Sequence, residues 1–64
     1  GHAKDAVEAA SRATTLEPNE AAGWLLLGAA QQELGHTKES HAAFTSCVKF
    51  AKRGSVRECR AMLR

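Results

Sequence analysis

The sequence has no isoleucine and no tyrosine, one proline (Pro18), two phenylalanines and one tryptophan among its 64 residues. That scarcity removes most of the β-branched and aromatic side chains that favour strands, and it speaks against an all-β domain. No run of 18 apolar residues occurs, which excludes an ordinary membrane-spanning helix. The opening lacks the charged and apolar regions of a signal peptide, so the expectation is a soluble chain in the cytoplasm. There is no C-x-x-C pair, no His pair at ligand spacing, no G-x-G-x-x-G and no P-loop, so zinc, dinucleotide and phosphate sites have no support in the pattern. Cys47 and Cys59 lie 12 apart and read as small buried thiols, not as a disulfide framework. No Ser/His/Asp or Cys/His arrangement stands out either. Neither an enzyme nor a bound metal or cofactor is expected.

What is present points to helices. Ala, Leu, Glu, Lys, Arg and Gln dominate. The apolar set holds 13 Ala, two Cys and only 13 larger side chains: six Leu, three Val, two Phe, one Trp and one Met. A chain this short buries only about 60% of its unfolded surface, so so thin a core needs close helix packing or a partner. Charge is unevenly placed. Residues 1–48 carry three basic and six acidic side chains, net −3, whereas residues 49–64 carry six basic ones against Glu58, net +5.

Four helices with short turns follow from the spacing. The first is expected over Ala3 to Leu16, with Ala3, Ala6, Val7, Ala10, Ala13 and Thr14 on one face. Pro18 ends it, because the residue before a proline avoids helical geometry. Asn19 is placed to cap a second helix from about Glu20 to Leu34, closed by Gly35. A third begins after Thr37 as N-cap, turns Ser40, Ala43, Phe44, Cys47, Val48 and Ala51 inward, and ends at Lys52, Arg53 and Gly54. Ser55 and Glu58 form a capping-box pattern for a fourth helix with Val56, Cys59, Met62 and Leu63 inward. The second helix is apolar on two sides: Trp24, Leu27, Gly28, Gln31 and Leu34 on one, Ala22, Leu25, Leu26 and Ala29 on the other. A helix of that kind expects cover on both.

The chain also matches itself. A shift of 34 residues sets Gly1-His2-Ala3-Lys4-Asp5-Ala6 over Gly35-His36-Thr37-Lys38-Glu39-Ser40, with Ala10 on Phe44 and Leu16 on Phe50. Gly1-His2 reads equally as the remnant of a cleaved tag. A 34-residue period of two helices, opened by Trp24-x-x-Leu27-Gly28 and carrying Phe44 and Pro18 at matching places, resembles the tetratricopeptide repeat. The resemblance implies an all-α, right-handed superhelical solenoid of antiparallel helix pairs. Residues 1–20 are then the second half of one repeat, 21–54 a complete repeat and 55–64 a capping helix, similar to closing helices of bacterial members. Gln31 stands where the family has Tyr, Ser40 where it has Ala, Ala10 where it has Phe and Lys52 where a second Pro would fall.

Such repeats line a concave face with the first helix of each pair, and the function this implies is protein binding. The groove-facing residues implied are Ala22, Leu25, Leu26, Ala29, Gln32 and Glu33. Members that grip a terminal carboxylate carry Lys, Asn and Arg in such places. Leu25, Leu26 and Ala29 replace them here, so the expected partner is an apolar peptide, an amphipathic helix or a further repeat. Two other readings stand beside this one. The basic end, with Lys49, Lys52, Arg53, Arg57, Arg60 and Arg64, is a candidate for nucleic acid, although no aromatic residue is interleaved to stack bases. Self-association would cover faces left open by fewer than two repeats. Trp24 is expected to meet Phe44 across the central hairpin, and His36 and His41 to face solvent.

Overall fold

A computed structural model describes residues 2–64. Gly1, and with it the first position of the 34-residue alignment, lies outside them. The described chain folds as four helices and contains no strand: α1 Ala3–Leu16, α2 Ala21–Glu33, α3 Thr37–Phe50 and α4 Val56–Ala61. Each helix follows the apolar spacing that announced it. α1 packs on α2, α2 on α3, and α4 sits against both α3 and α2. A Cβ on Gly23 would meet Ala13 and Thr14 of α1, whereas Ala30, further along α2, shares a groove with Ala6, so α1 and α2 run antiparallel.

Small residues set the spacing. Ala10 and Ala21 are fully buried, and at Gly28 a Cβ would lie 2.5 Å from Cζ of Phe44. The glycine thus lets the Phe44 ring lie directly on the backbone of α2. Trp24 packs elsewhere: its ring lies 6.2 Å from that of Phe50, and its Nε1 donates to the Pro18 carbonyl at 2.8 Å. The expected Trp24–Phe44 pair is therefore replaced by two contacts, Trp24 with Phe50 and Phe44 with Gly28. Ala13, expected inward, is exposed on α1, and Met62 is exposed beyond α4.

The helix ends depart from the sequence expectations in a consistent direction. α2 has Glu20 at its N-cap with no side-chain cap, and the Ala21 amide donates instead to the Arg53 carbonyl at 2.9 Å. Asn19 contributes its backbone: its carbonyl accepts from Lys52 and Arg53 at 2.8 and 3.0 Å. Thr37 is the first residue of α3 and not its cap, a place taken by His36. Ser55 does stand at the N-cap of α4, yet makes no side-chain cap hydrogen bond, so the capping box stays open. Lys52 and Arg53 lie past the end of α3, whose last turn holds only Lys49 as a cation. Gly35 performs as expected. At φ +79° it lets its own amide reach the Gln32 carbonyl at 3.0 Å and the His36 amide reach that of Gln31 at 2.9 Å, a Schellman closure.

One expectation is overturned outright. Cys47 and Cys59 are not free thiols but a disulfide, with Cα atoms 6.1 Å apart, and no free cysteine remains. Gly54, at φ +85°, reverses the chain so that α4 lies back along α3 and brings the two inward cysteines together. Their burial was anticipated and is complete. With Ala21 and Ala51 they form the core cluster on which Trp24, Leu25, Val48 and Val56 pack. A cross-link closing so short a loop stabilises by about 3 kcal/mol in the chain-entropy account.

Candidate functional site

Successive residues of a helix turn by about 100°, which divides α2 into four sides. Trp24, Gly28 and Gln31 face α3. Gly23, Leu27, Ala30 and Leu34 turn towards α1. Ala21 and Leu25 lie under α4, in the core cluster. The remaining side, Ala22, Leu26, Ala29 and Glu33, is exposed.

The six residues implied by the family resemblance are thus distributed over more than one side. Ala22, Leu26, Ala29 and Glu33 share the open face. Leu26, Ala29, Gln32 and Glu33 line a shallow groove whose other wall is Ala6 of α1 and whose floor includes Ala30. Ala22 belongs to a second hollow nearer the start of α2, with Ala13, Leu16, Glu17, Glu20 and Gly23. Gln32 sits at a border and also lines a small pocket with Ser40, Phe44 and Met62. Leu25 is separate. It is half-buried against the cluster that Cys59 and Val56 of α4 complete.

Two contributors escaped the sequence reading. Ala6 and Ala30 belong to the groove although each sits on an inward-looking stripe, because two alanine faces in contact leave a shallow cleft at their seam. The disulfide was missed as well. Its signal was available in the placement of both cysteines on the inward stripes of consecutive helices, which an early turn at Gly54 brings together.

Leu26 is 49% exposed and Leu16 79%, so the surface beside the α1–α2 seam presents large apolar groups to water. Glu17 and Glu33 flank it as exposed carboxylates, and Glu20 is held at 3.4 Å by Arg53. The six basic residues 49, 52, 53, 57, 60 and 64 are all exposed. No group of three His, Cys, Asp or Glu side chains able to hold a metal occurs among the described residues. No helix among them is long and apolar enough to cross a membrane. His36 is exposed but engaged: its Nδ1 lies 2.8 Å from the Gln31 Oε1. Comparison with protein families, with curated proteins and with solved structures finds no match to this chain.

Proposed function

We propose that this chain is a non-catalytic protein-interaction module of tetratricopeptide-like build, which receives an apolar peptide or an amphipathic partner helix along the open face of α2. The observation that carries the reading is Leu26. A large aliphatic side chain stands half out of a helix whose other three sides are covered, and Ala22 and Ala29 beside it leave room for a partner's side chains. The alternation of helices in antiparallel contact, with Gly28 under Phe44 and Gly35 closing the hairpin, supports the tetratricopeptide-like arrangement.

Selection of helical peptides from a random display library on the immobilised chain tests this. Binders are expected to lose at least about tenfold, or 1.4 kcal/mol, against Leu26→Asp or Ala29→Asp while the helical circular dichroism persists. Undiminished binding by both variants would remove the α2 face as the site. Self-association is a second reading, favoured by the exposure of Leu16, Leu26, Phe50 and Met62 on so small a chain. Sedimentation over a concentration range distinguishes it, since a copy occupying the α2 face would dissociate on dilution and in Leu26→Asp.

A further inference from the structure

α4 is six residues long, and a helix of that length is not stable by itself in water. Its hold on the rest of the molecule is narrow. Cys59 is its only buried residue, Val56 packs at the edge of the same cluster, and no side chain caps its start. Yet α4 covers something that matters. Leu25, Ala21, Val48 and Ala51 lie beneath it, and Leu25 sits one position before Leu26 on the helix that carries the open face. The covalent bond between Cys47 and Cys59 is the strongest tie between this short element and the body.

We propose that the Cys47–Cys59 disulfide is a redox latch on α4: a dithiol reductant opens it, α4 leaves the α2–α3 surface, and the apolar strip of α2 widens from Leu26 and Ala29 to include Leu25 and Ala21. The chemistry is thiol–disulfide exchange. A thiolate of the reductant attacks one sulfur, the Cys47–Cys59 bond breaks, and a mixed disulfide forms. The second thiol of the reductant then displaces it. The reductant ends as a disulfide, and its two electrons and two protons end on the thiols of Cys47 and Cys59.

Both sulfurs are fully buried, so exchange proceeds through local opening of α4. Elements with few buried contacts are the ones that open most readily. Reduction removes the tether that returns α4 after each such opening. Leu25 and Ala21, thereby uncovered, are apolar and lie on the same helix as the face already exposed. That this widened strip serves a partner rests on the interaction reading above, whereas the latch itself does not.

Amide hydrogen exchange on the full chain, air-oxidised and then treated with dithiothreitol without denaturant, tests the latch. Mass spectrometry follows the gain of two hydrogens that marks reduction. Amides of residues 55–64 are expected to exchange at least about tenfold faster after reduction, with binding of an apolar dye rising in parallel, while the central amides of α2 and α3 remain protected. The Cys47→Ala, Cys59→Ala double variant should reproduce the reduced pattern and no longer respond to dithiothreitol. Equal α4 protection in both states would overturn the latch. So would loss of α1–α3 structure on reduction, which would make the bond a staple of the whole fold, and so would resistance to reduction under native conditions. If α4 opens and no library peptide binds either state, the latch stands and the interaction reading falls.

Discussion

The Ser40 hydroxyl donates a 2.8 Å hydrogen bond to the backbone carbonyl of Gly28, twelve residues away and buried between α2 and α3. The hydroxyl thus has a definite partner on the facing helix. Its neighbour Phe44, one turn along α3, lies on the same glycine. Backbone exposure at Gly28 therefore serves two contacts, one polar and one apolar.

Ser40→Ala is expected to lower stability by about 1 kcal/mol, the net value of an ordinary hydrogen bond, because alanine keeps the close packing and the helix propensity improves. Ser40→Val should cost more, about 1–3 kcal/mol, since it both loses the bond and overfills the contact. Thermal unfolding reads the difference. About 1 kcal/mol corresponds to roughly 4–8 °C in a domain of this size, and an alanine variant melting at or above the parent would show that the bond contributes nothing.

Gly28→Ala sets two effects against each other. Alanine gains about 1 kcal/mol of helix propensity over glycine, but its Cβ would stand 2.5 Å from Cζ and 2.8 Å from Cδ1 of Phe44. A packed aromatic ring cannot yield by bending, so the steric term wins and the variant loses about 1–3 kcal/mol overall. Trimming the ring should return part of that loss: Gly28→Ala with Phe44→Leu is expected to be more stable than the sum of the two single changes predicts. Strict additivity in the double-mutant cycle would show that the two positions do not press on each other.

At Gly35 the strain is conformational only. A Cβ there meets nothing within 4 Å, but φ is +79°. Gly35→Ala should cost about 1 kcal/mol for left-handed backbone, and Gly35→Asn distinctly less, since asparagine tolerates that region. Urea denaturation at equal m-value measures both. Equal loss in the two variants would point away from backbone strain and towards some contact of the introduced side chain.

These residues also show what the sequence could and could not convey. Apolar spacing is local, so α1 and α2 were legible within a residue of their observed ends, whereas α3 stops at Phe50, short of the expected Lys52 and Arg53, and α4 stops at Ala61, before Met62 and Leu63. Gly35 was legible because the Schellman closure involves only its neighbours. The parts played by Gln31 and Ser40 were not legible, because each depends on a partner that the spacing does not name. The Gln31 side chain meets His36, and the Ser40 hydroxyl meets the Gly28 carbonyl. The Cys47–Cys59 bond and the division of the α2 face between Leu25 and Leu26 depend on where α4 folds, which the Gly54 turn decides and no short-range pattern records.

Asn19 offers the sharpest contrast between a local rule and the tertiary structure. As a side-chain cap it would contribute about 1 kcal/mol, and Asn19→Ala would remove it. The first free amide of α2, that of Ala21, instead donates to the Arg53 carbonyl at 2.9 Å, and the Asn19 carbonyl accepts from Lys52 and Arg53. All three bonds are made by backbone atoms that alanine retains. Asn19→Ala is therefore expected to change stability by no more than about 0.5 kcal/mol, as a surface substitution does. The Ala21, Lys52 and Arg53 amides should meanwhile exchange slowly with solvent, although one opens a helix and the others lie in a connection. Rapid exchange at Ala21 together with a loss near 1 kcal/mol in the alanine variant would restore the side-chain cap and detach the α3–α4 connection from the start of α2.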